Sequence, residues 1–188
     1  MTDRTDYKIY SAIVVFCAVV EIIWICGAAA LAIASHYNTE PIMSAIYGFM
    51  GLAAVVLTSA TLVYGIAMLR AGVPSPLTTS ISISLILTFI LTLIVAFRLA
   101  SNESHFIGDT ITGSGLPVFG WSTEVGDLRV SHFLATHAMH FIPAIAFAAY
   151  IMIPALVTYT TVIALSLGYT ALTFATFVQA LAGRPFIS

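Results

Sequence analysis

Charged side chains are scarce in this chain. Only six of its 188 residues are Lys or Arg and eight are Asp or Glu, so 7% of the chain is charged, against about 25% in a typical soluble domain. This scarcity argues against a water-soluble globular fold. The six basic residues are scattered and form no patch that would bind phosphates, which argues against a nucleic-acid partner. The only two cysteines, Cys17 and Cys26, lie on opposite faces of one predicted helix, so a disulfide scaffold is excluded.

Long apolar runs dominate what is present. Hydrophobic residues make up 60% of the sequence and fall into five runs, each longer than the roughly 20 residues that a helix needs to cross a bilayer. The sequence therefore predicts an all-α, polytopic membrane bundle of five transmembrane helices, with the lipid bilayer as its surroundings. We expect a single transmembrane domain over residues 1–188, with spans at about residues 9–35, 43–69, 77–100, 130–153 and 157–181.

The connections between spans are unequal, and they carry the orientation signal. Most are short, whereas the Gly-rich segment from Ser101 to Arg129 is predicted to be one long outer loop between the third and fourth helices. Arg4 and Lys8 precede the first span, which favours a cytoplasmic N-terminus and, with five spans, a periplasmic C-terminus. In this orientation, three of the six basic residues lie on the cytoplasmic side and three on the outer side. The predicted orientation therefore depends on the charges that precede the first helix. We expect a multi-pass protein of the cell inner membrane.

Ionisable residues inside the spans are the strongest functional signal, because charge is costly in a bilayer. Glu21 lies midway along the first span, and the fourth carries His132, His137 and His140. If the fourth helix begins near Leu128, His137 lies about 7 Å and His140 about 12 Å deeper than His132, all on one broad face. These depths allow Glu21 to pair with His140 as a proton-handling site or an ion pair. The alternative is that each bonds to a neighbouring hydroxyl or backbone group.

A second group of polar residues lies at the predicted outer boundary of the spans. Its members are His36, Glu40, Arg98, Glu103, His105, Asp109, Glu124, Asp127, Arg129 and His132. Imidazole and carboxylate groups ligate zinc and copper, and His36, His105 and His132 come from three segments, so a metal site at this boundary is the second candidate. The alternative is a solvated loop in which Arg98 pairs with Glu103 and Arg129 with Asp127, the predicted N-cap of the fourth helix.

Small and hydroxylated residues recur every fourth position in two spans. The third span carries Ser80, Ser84, Thr88 and Thr92, and the fifth carries Thr160, Ala164 and Gly168. Such stripes allow close packing of helices and hydrogen bonds between them, and packing is the favoured interpretation. A water or proton path along the stripe of the third span is the alternative. In the fourth span, Pro143 is predicted to kink the helix and Pro154 to end it.

Residues 126–143 read GDLRVSHFLATHAMHFIP. This stretch resembles a segment of small uncharacterised bacterial inner-membrane proteins with the form GDLR-x2-HF-x3-HA-x4-P, which a Gly-Trp-Ser triplet such as residues 120–122 often precedes. The resemblance covers roughly 25 residues of the chain and implies no particular activity. It implies that Asp127, Arg129, His132 and His137 belong to one local unit, to which His140 is an addition.

The chain also resembles, more weakly, the small b-type membrane cytochromes, whose bundle histidines hold haem iron. Two axial ligands approach opposite faces of a haem, yet the deep histidines here all lie on one span. That likeness therefore implies one haem near the outer surface, with His132 or His137 opposite His36 or His105. A five-coordinate haem with a single histidine stays open.

The leading functional hypothesis is an integral membrane redox or electron-transfer protein that binds haem b or a transition metal near the outer face. The candidate cofactor ligands are His132, His137, His140, His36 and His105, of which His132 and His137 are the candidate metal ligands. A quinone is a candidate electron partner, and we expect a homo-oligomer or a subunit of a membrane complex.

Two alternatives come from other functional classes. The first is a non-catalytic accessory subunit of a larger membrane complex, and the second is a proton-coupled carrier that uses Glu21 and His140. No sequence motif for a catalytic nucleophile, a phosphate loop or a metalloprotease is present. No catalytic residue is therefore assigned, and whether the chain is an enzyme is left open.

Overall fold

The computed structural model describes residues 4–37, 40–71, 74–102, 104–110 and 112–188. Within these residues, five helices are long and apolar enough to cross a membrane, which confirms the predicted all-α, multi-pass architecture. They are α1 (Arg4–Ala30), α2 (Pro41–Arg70), α3 (Pro76–Ala100), α4 (Leu128–Met152) and α5 (Tyr159–Leu181). A two-residue strand pair precedes α4, and a short 3-10 helix (Pro154–Leu156) joins α4 to α5.

Helix ends follow local chemistry more than hydropathy. The predicted first span reaches Ser35, but α1 ends at Ala30, because Ala32 adopts a left-handed φ of 53°. There the Ile33 amide donates to the Ala28 carbonyl and the Ala32 amide to the Ala29 carbonyl, the two bonds that define a Schellman C-cap. Apolar residues continue past this cap, so the length of the apolar run overestimates the helix.

The start of α4 and the end of α5 agree with the sequence. Asp127 is the N-cap of α4, as predicted, and its side chain accepts a hydrogen bond from the Arg129 amide. Gly183, with φ of 73°, ends α5 in a second Schellman arrangement, in which the Arg184 amide donates to the Gln179 carbonyl. Pro143 lies inside a continuous α4, whereas Pro154 begins the 3-10 helix that follows it.

The chain separates into two compact units, residues 1–60 and residues 61–188, with the boundary inside α2. In the first unit, the Tyr10 hydroxyl and the Ser59 hydroxyl share a hydrogen bond of 2.7 Å that joins α1 to α2. The second unit contains the three most strongly buried helices, α3, α4 and α5. The single-domain organisation stays a prediction.

The core of the second unit is built from small and hydroxylated residues. Ser80, Ser84, Thr88 and Thr92 of α3 are all buried. The first three donate to carbonyl oxygens of their own helix, and the Thr88 hydroxyl also accepts a hydrogen bond of 2.9 Å from the Met139 amide of α4. These bonds favour helix packing over a water path for this stripe.

The small-residue stripe of the fifth span lies on a different side of α5 from the buried residues of that helix. Thr160, Ala164 and Gly168 lie on the exposed side of α5, so the helix packing predicted for this stripe stays a prediction. The buried residues of α5 are Val162, Ser166, Tyr169, Thr173, Thr176 and Ala180. Tyr169 fixes α5 to α4, because its hydroxyl donates to the Leu134 carbonyl at 2.8 Å.

The long Gly-rich segment between α3 and α4 is structured over its described part. Strands β1 (Phe106–Ile107) and β2 (Gly126–Asp127) pair antiparallel, with Phe106 opposite Asp127 and Ile107 opposite Gly126. Strand β2 continues directly into α4. Gly126 also lies against the last turn of α5, where a Cβ atom would be 2.0 Å from the Ala180 carbonyl oxygen. The loop is thereby joined to the ends of two helices.

Candidate functional site

Asp127 is the centre of a polar network at the N-terminus of α4. Asp127 is only 1% exposed. Its carboxylate accepts hydrogen bonds from the backbone amides of Ser122 (3.0 Å) and Arg129 (3.0 Å). The Arg129 guanidinium donates to it through Nε (3.0 Å) and Nη2 (2.7 Å). The predicted pairing of Arg129 with Asp127 is therefore formed, and it joins the loop to the first turn of α4.

Burial raises the pKa of Asp127, but hydrogen bonds to its charged form outweigh this effect. The Arg129 side chain and the backbone amides of Ser122 and Arg129 hold the pKa of this carboxyl below its ordinary value of 3.8. His105, whose carbonyl accepts the Leu128 amide, shifts for other reasons. Burial, and then the nearby Arg129 charge, lower the pKa of His105 below 6.5, although Asp127 acts in the opposite direction.

Asp127 is expected to make stability depend on pH only in acid. Since its folded pKa lies below the unfolded value of 3.8, its contribution is fully present above that pH and is lost as pH falls through the folded pKa. The difference in melting temperature between wild type and Asp127→Asn should therefore stay constant from about pH 7 to about pH 5 and shrink below about pH 3.8. Thermal unfolding in detergent measures it, and an unchanged difference at about pH 3 would contradict the assignment.

Arg129 also holds the loop that precedes α4. Its Nη2 atom donates to the Gly120 carbonyl oxygen at 2.6 Å, and its guanidinium carbon lies 5.4 Å from the centre of the Phe106 ring. The side chain is 35% exposed. Ser122 completes the turn, because its hydroxyl accepts the amide of Val125. Arg129 is thus a positioning residue for this loop.

His137 has a fixed orientation and tautomer. Its Nδ1 atom lies 2.8 Å from the Phe133 carbonyl oxygen and 3.0 Å from the Thr136 hydroxyl. A carbonyl oxygen only accepts, so Nδ1 carries the proton and Nε2 of the neutral ring keeps its lone pair. In the described part of the chain, the hydrogen bonds of His137 all involve Nδ1. This leaves Nε2 available as a ligand or an acceptor.

The other two histidines of α4 differ from His137 and from each other. The Nδ1 atom of His132 is buried and has no hydrogen-bond partner among the described residues. A buried polar atom of this kind usually has a partner in proteins, so it is a second candidate donor atom for a ligand. His140 is exposed on the surface of the bundle, and its ring centre lies 5.4 Å from that of His137.

An aromatic column runs from the loop down one side of α4. We use this name for the rings of Phe119, Trp121, Phe133, His137, Phe141 and Tyr169. Successive ring centres are 4.6, 5.5, 4.1, 6.2 and 6.2 Å apart. Phe133 stacks nearly parallel on His137, with 26° between the planes. The column covers one side of the His137 ring and connects it to the loop.

The remaining predicted residues fall into separate places. Glu21 and His36 belong to the first unit. There His36 Nδ1 bonds the Ser35 hydroxyl at 2.8 Å, and the His36 ring lies 5.3 Å from that of Tyr47. The predicted pairs that join the two units, Glu21 with His140 and His36 with the α4 histidines, stay predictions.

Arg98 bonds to Asn102, and its predicted pairing with Glu103 stays a prediction. Its Nη1 atom donates to the Asn102 side-chain oxygen at 3.1 Å, whereas Glu103, the predicted partner, lies outside the described residues. Glu124 accepts hydrogen bonds from the backbone amides of Thr112 and Ser114 and contacts the Thr112 hydroxyl. Glu124 thus bonds to the loop itself.

No three His, Cys, Asp or Glu side chains of the described residues are grouped so that they could hold a metal ion. Imidazole with Nδ1 bonded to a backbone carbonyl is the usual state of a metal-ligating histidine, and His137 has this state. The chemistry of the donor atom thus fits a haem or a transition metal.

Two contributors were missed in the sequence. Phe133 lies four residues before His137, a spacing that places two side chains on the same face of a helix, so its contact was readable from the pattern. Ser122 lies five residues before Asp127, and its backbone amide bonds the carboxylate because of how the loop folds, which no local spacing indicates.

No known family model, curated protein or solved structure matches this chain.

Proposed function

We propose that this chain is an integral membrane redox protein that binds haem b or a transition metal through His137, with His132 as the second candidate ligand. The observation that carries the proposal is the 2.8 Å bond from His137 Nδ1 to the Phe133 carbonyl oxygen. This bond leaves the Nε2 lone pair free to ligate a metal. When bound, such a group would supply one-electron transfer.

The neighbours of His137 distinguish the two kinds of group. His140, whose ring is 5.4 Å away, supports a transition metal shared by two imidazoles of one helix. A haem would instead use His137 and not His140, because two axial ligands on one helix do not approach opposite faces of a haem. His36 and His105 remain the proposed opposite ligands for a six-coordinate haem.

The rest of the site would hold the ligand in place. Phe133 stacks on His137 at 4.1 Å, and Thr136 bonds its Nδ1, so the ring loses little freedom when it ligates. The network of Asp127 and Arg129 fixes the first turn of α4. His132 lies about one turn further along the same helix. Low polarity around the aromatic column would limit access of water, which tunes the potential of a bound redox group.

Location and partners complete the proposal. We infer a multi-pass protein of a bacterial inner membrane, with a cytoplasmic N-terminus and the start of α4 on the periplasmic side. Five spanning helices would place the two termini on opposite sides. An isoprenoid quinone dissolved in the bilayer is the proposed electron partner, because His140 and Phe141 are exposed on α4 and an apolar ring beside an imidazole would suit a quinone.

The deciding measurement is an oxidised-minus-reduced absorption spectrum together with metal analysis of protein purified from its native membrane in mild detergent. We expect a stoichiometric haem or transition metal in wild type and at least about a tenfold lower content in His137→Ala, since the main donor atom is removed. Added imidazole should restore binding to His137→Gly. Phe147→Leu is the matched control, because Phe147 is an exposed residue of the same helix outside the aromatic column, and this variant should retain the group.

The variants also separate the two kinds of group. Loss of the bound metal in His140→Ala would indicate a metal shared by His137 and His140. Retention of a Soret band in this variant would indicate a haem held by His137. A native preparation with neither a Soret band nor a stoichiometric metal would overturn the proposal.

The accessory-subunit alternative is favoured by one observation. The exposed stripe of Thr160, Ala164 and Gly168 on α5 has the small-residue spacing at which membrane helices pack closely, and a helix of another subunit would cover it. Native electrophoresis in mild detergent tests this, because migration alone, as a monomer or a small homo-oligomer, contradicts it. The proton-coupled carrier with Glu21 and His140 stays the last alternative.

A further inference from the structure

The tip of the loop between α3 and α4 presents apolar side chains in an unusual way. Val118 is 99% exposed and Phe119 is 53% exposed. Val118 also adopts a φ of 73°, in the left-handed region that a β-branched residue rarely occupies. An exposed turn with this backbone normally carries Gly or Asn. In water, an exposed Val and an exposed Phe at this turn would be less favourable than the Gly or Asn that such a turn normally carries.

The tip is held firmly in this conformation. The Leu116 amide donates to the Trp121 carbonyl at 2.7 Å, and the Gly120 amide donates back to the Leu116 carbonyl at 2.8 Å. The Arg129 bond to the Gly120 carbonyl then fixes the turn to the first turn of α4. Val118 is thus displayed by a defined turn.

The tip lies beside the membrane-spanning helix. The rings of Phe119 and Trp121 are 5.9 Å and 5.5 Å from the ring of Phe133, which is one turn further into the span than Arg129, or about 6 Å deeper. Arg129, paired and partly exposed, belongs at the level of the lipid headgroups, where Trp121 is also favoured. The contacts with Phe133 bring the tip to the boundary between headgroups and acyl chains.

Charge is absent from the sequence around the tip. No Asp, Glu, Lys or Arg occurs between Asp109 and Glu124, so no ionised group would have to leave water if the tip entered the bilayer. We propose that Val118 and Phe119 insert into the acyl-chain region of the leaflet at whose surface α4 begins. The occupant of this apolar tip is then lipid, and Trp121 marks the depth of the interface.

Site-specific fluorescence quenching tests the insertion. The background is the full chain with Cys17→Ala and Cys26→Ala. It carries Val118→Cys labelled with an environment-sensitive dye and is reconstituted in phosphatidylcholine vesicles. The matched control is Ser114→Cys, an exposed position of the same loop. Each sample is quenched by a lipid with a nitroxide at carbon 5 of its acyl chain and, separately, by iodide present on both sides of the membrane.

We expect the dye at position 118 to be quenched at least about twofold more by the nitroxide lipid than the dye at position 114, and the order to reverse with iodide. Iodide quenching at position 118 equal to that at position 114 would overturn the proposal and indicate a tip in water. Protection of position 118 from both quenchers would also overturn it, since the tip would then be covered by protein, such as a second copy of the chain.

Discussion

Gly126→Ala is expected to lower the stability of the second unit by about 3 kcal/mol, at the upper end of the usual cost of overpacking. A Cβ atom at this position would be 2.0 Å from the Ala180 carbonyl oxygen and 2.8 Å from its carbonyl carbon. Both groups in contact are backbone, so no side-chain rotation relieves the overlap. Gly126 is also paired with Ile107 and precedes the α4 N-cap, and the Gly183 cap fixes the end of α5.

Thermal unfolding in mild detergent, followed by circular dichroism, measures this effect. About 3 kcal/mol corresponds to a fall of roughly 6–12 °C in melting temperature for a chain of this size. Gly168→Ala is the matched control, because a Cβ atom there meets nothing within 4 Å. Its melting temperature should be unchanged or higher, since Ala favours helix. Equal decreases in both variants would show that the close approach to Ala180 is not the cause.

Asp127→Ala is expected to cost about 2–3 kcal/mol, for an electrostatic reason. Removing one partner of a fully buried ion pair costs about 3–5 kcal/mol, but Arg129 is 35% exposed, so water compensates part of its charge. The variant also loses the side-chain cap of α4, which contributes about 1 kcal/mol, and the acceptor for the Ser122 amide. The loop and the first turn of α4 should loosen together.

The same unfolding measurement at neutral pH checks this result. Asp109→Ala is the control, because Asp109 is exposed, and a surface substitution of this kind usually changes stability by no more than about 0.5 kcal/mol. The melting temperature of Asp127→Asn should lie between those of Asp109→Ala and Asp127→Ala, since its amide oxygen keeps one acceptor for the Arg129 amide. If the Asp109 and Asp127 variants melted at the same temperature as wild type, the network would not contribute to stability.

The membrane architecture was predictable because bilayer thickness translates directly into the length of an apolar run. The N-cap role of Asp127 was predictable because it depends on residues one and two positions away. The α1 terminus was not, since it depends on the left-handed conformation of Ala32, and Ala carries no signal for that conformation. The small-residue stripe of α5 was assigned to helix packing, but spacing alone does not say whether the neighbouring helix belongs to the same chain.

The sequence by itself therefore determined the five membrane helices, the scarcity of buried charge, and the concentration of histidine on α4. Even the His137 bond to the Phe133 carbonyl is local, because four residues separate them along one helix. Tertiary structure decided what surrounds these residues. The Ser122 amide reaches Asp127, Trp121 reaches Phe133, and Gly126 reaches Ala180 only because the long loop folds back on α4 and α5, and contacts between distant segments depend on packing that no local pattern encodes.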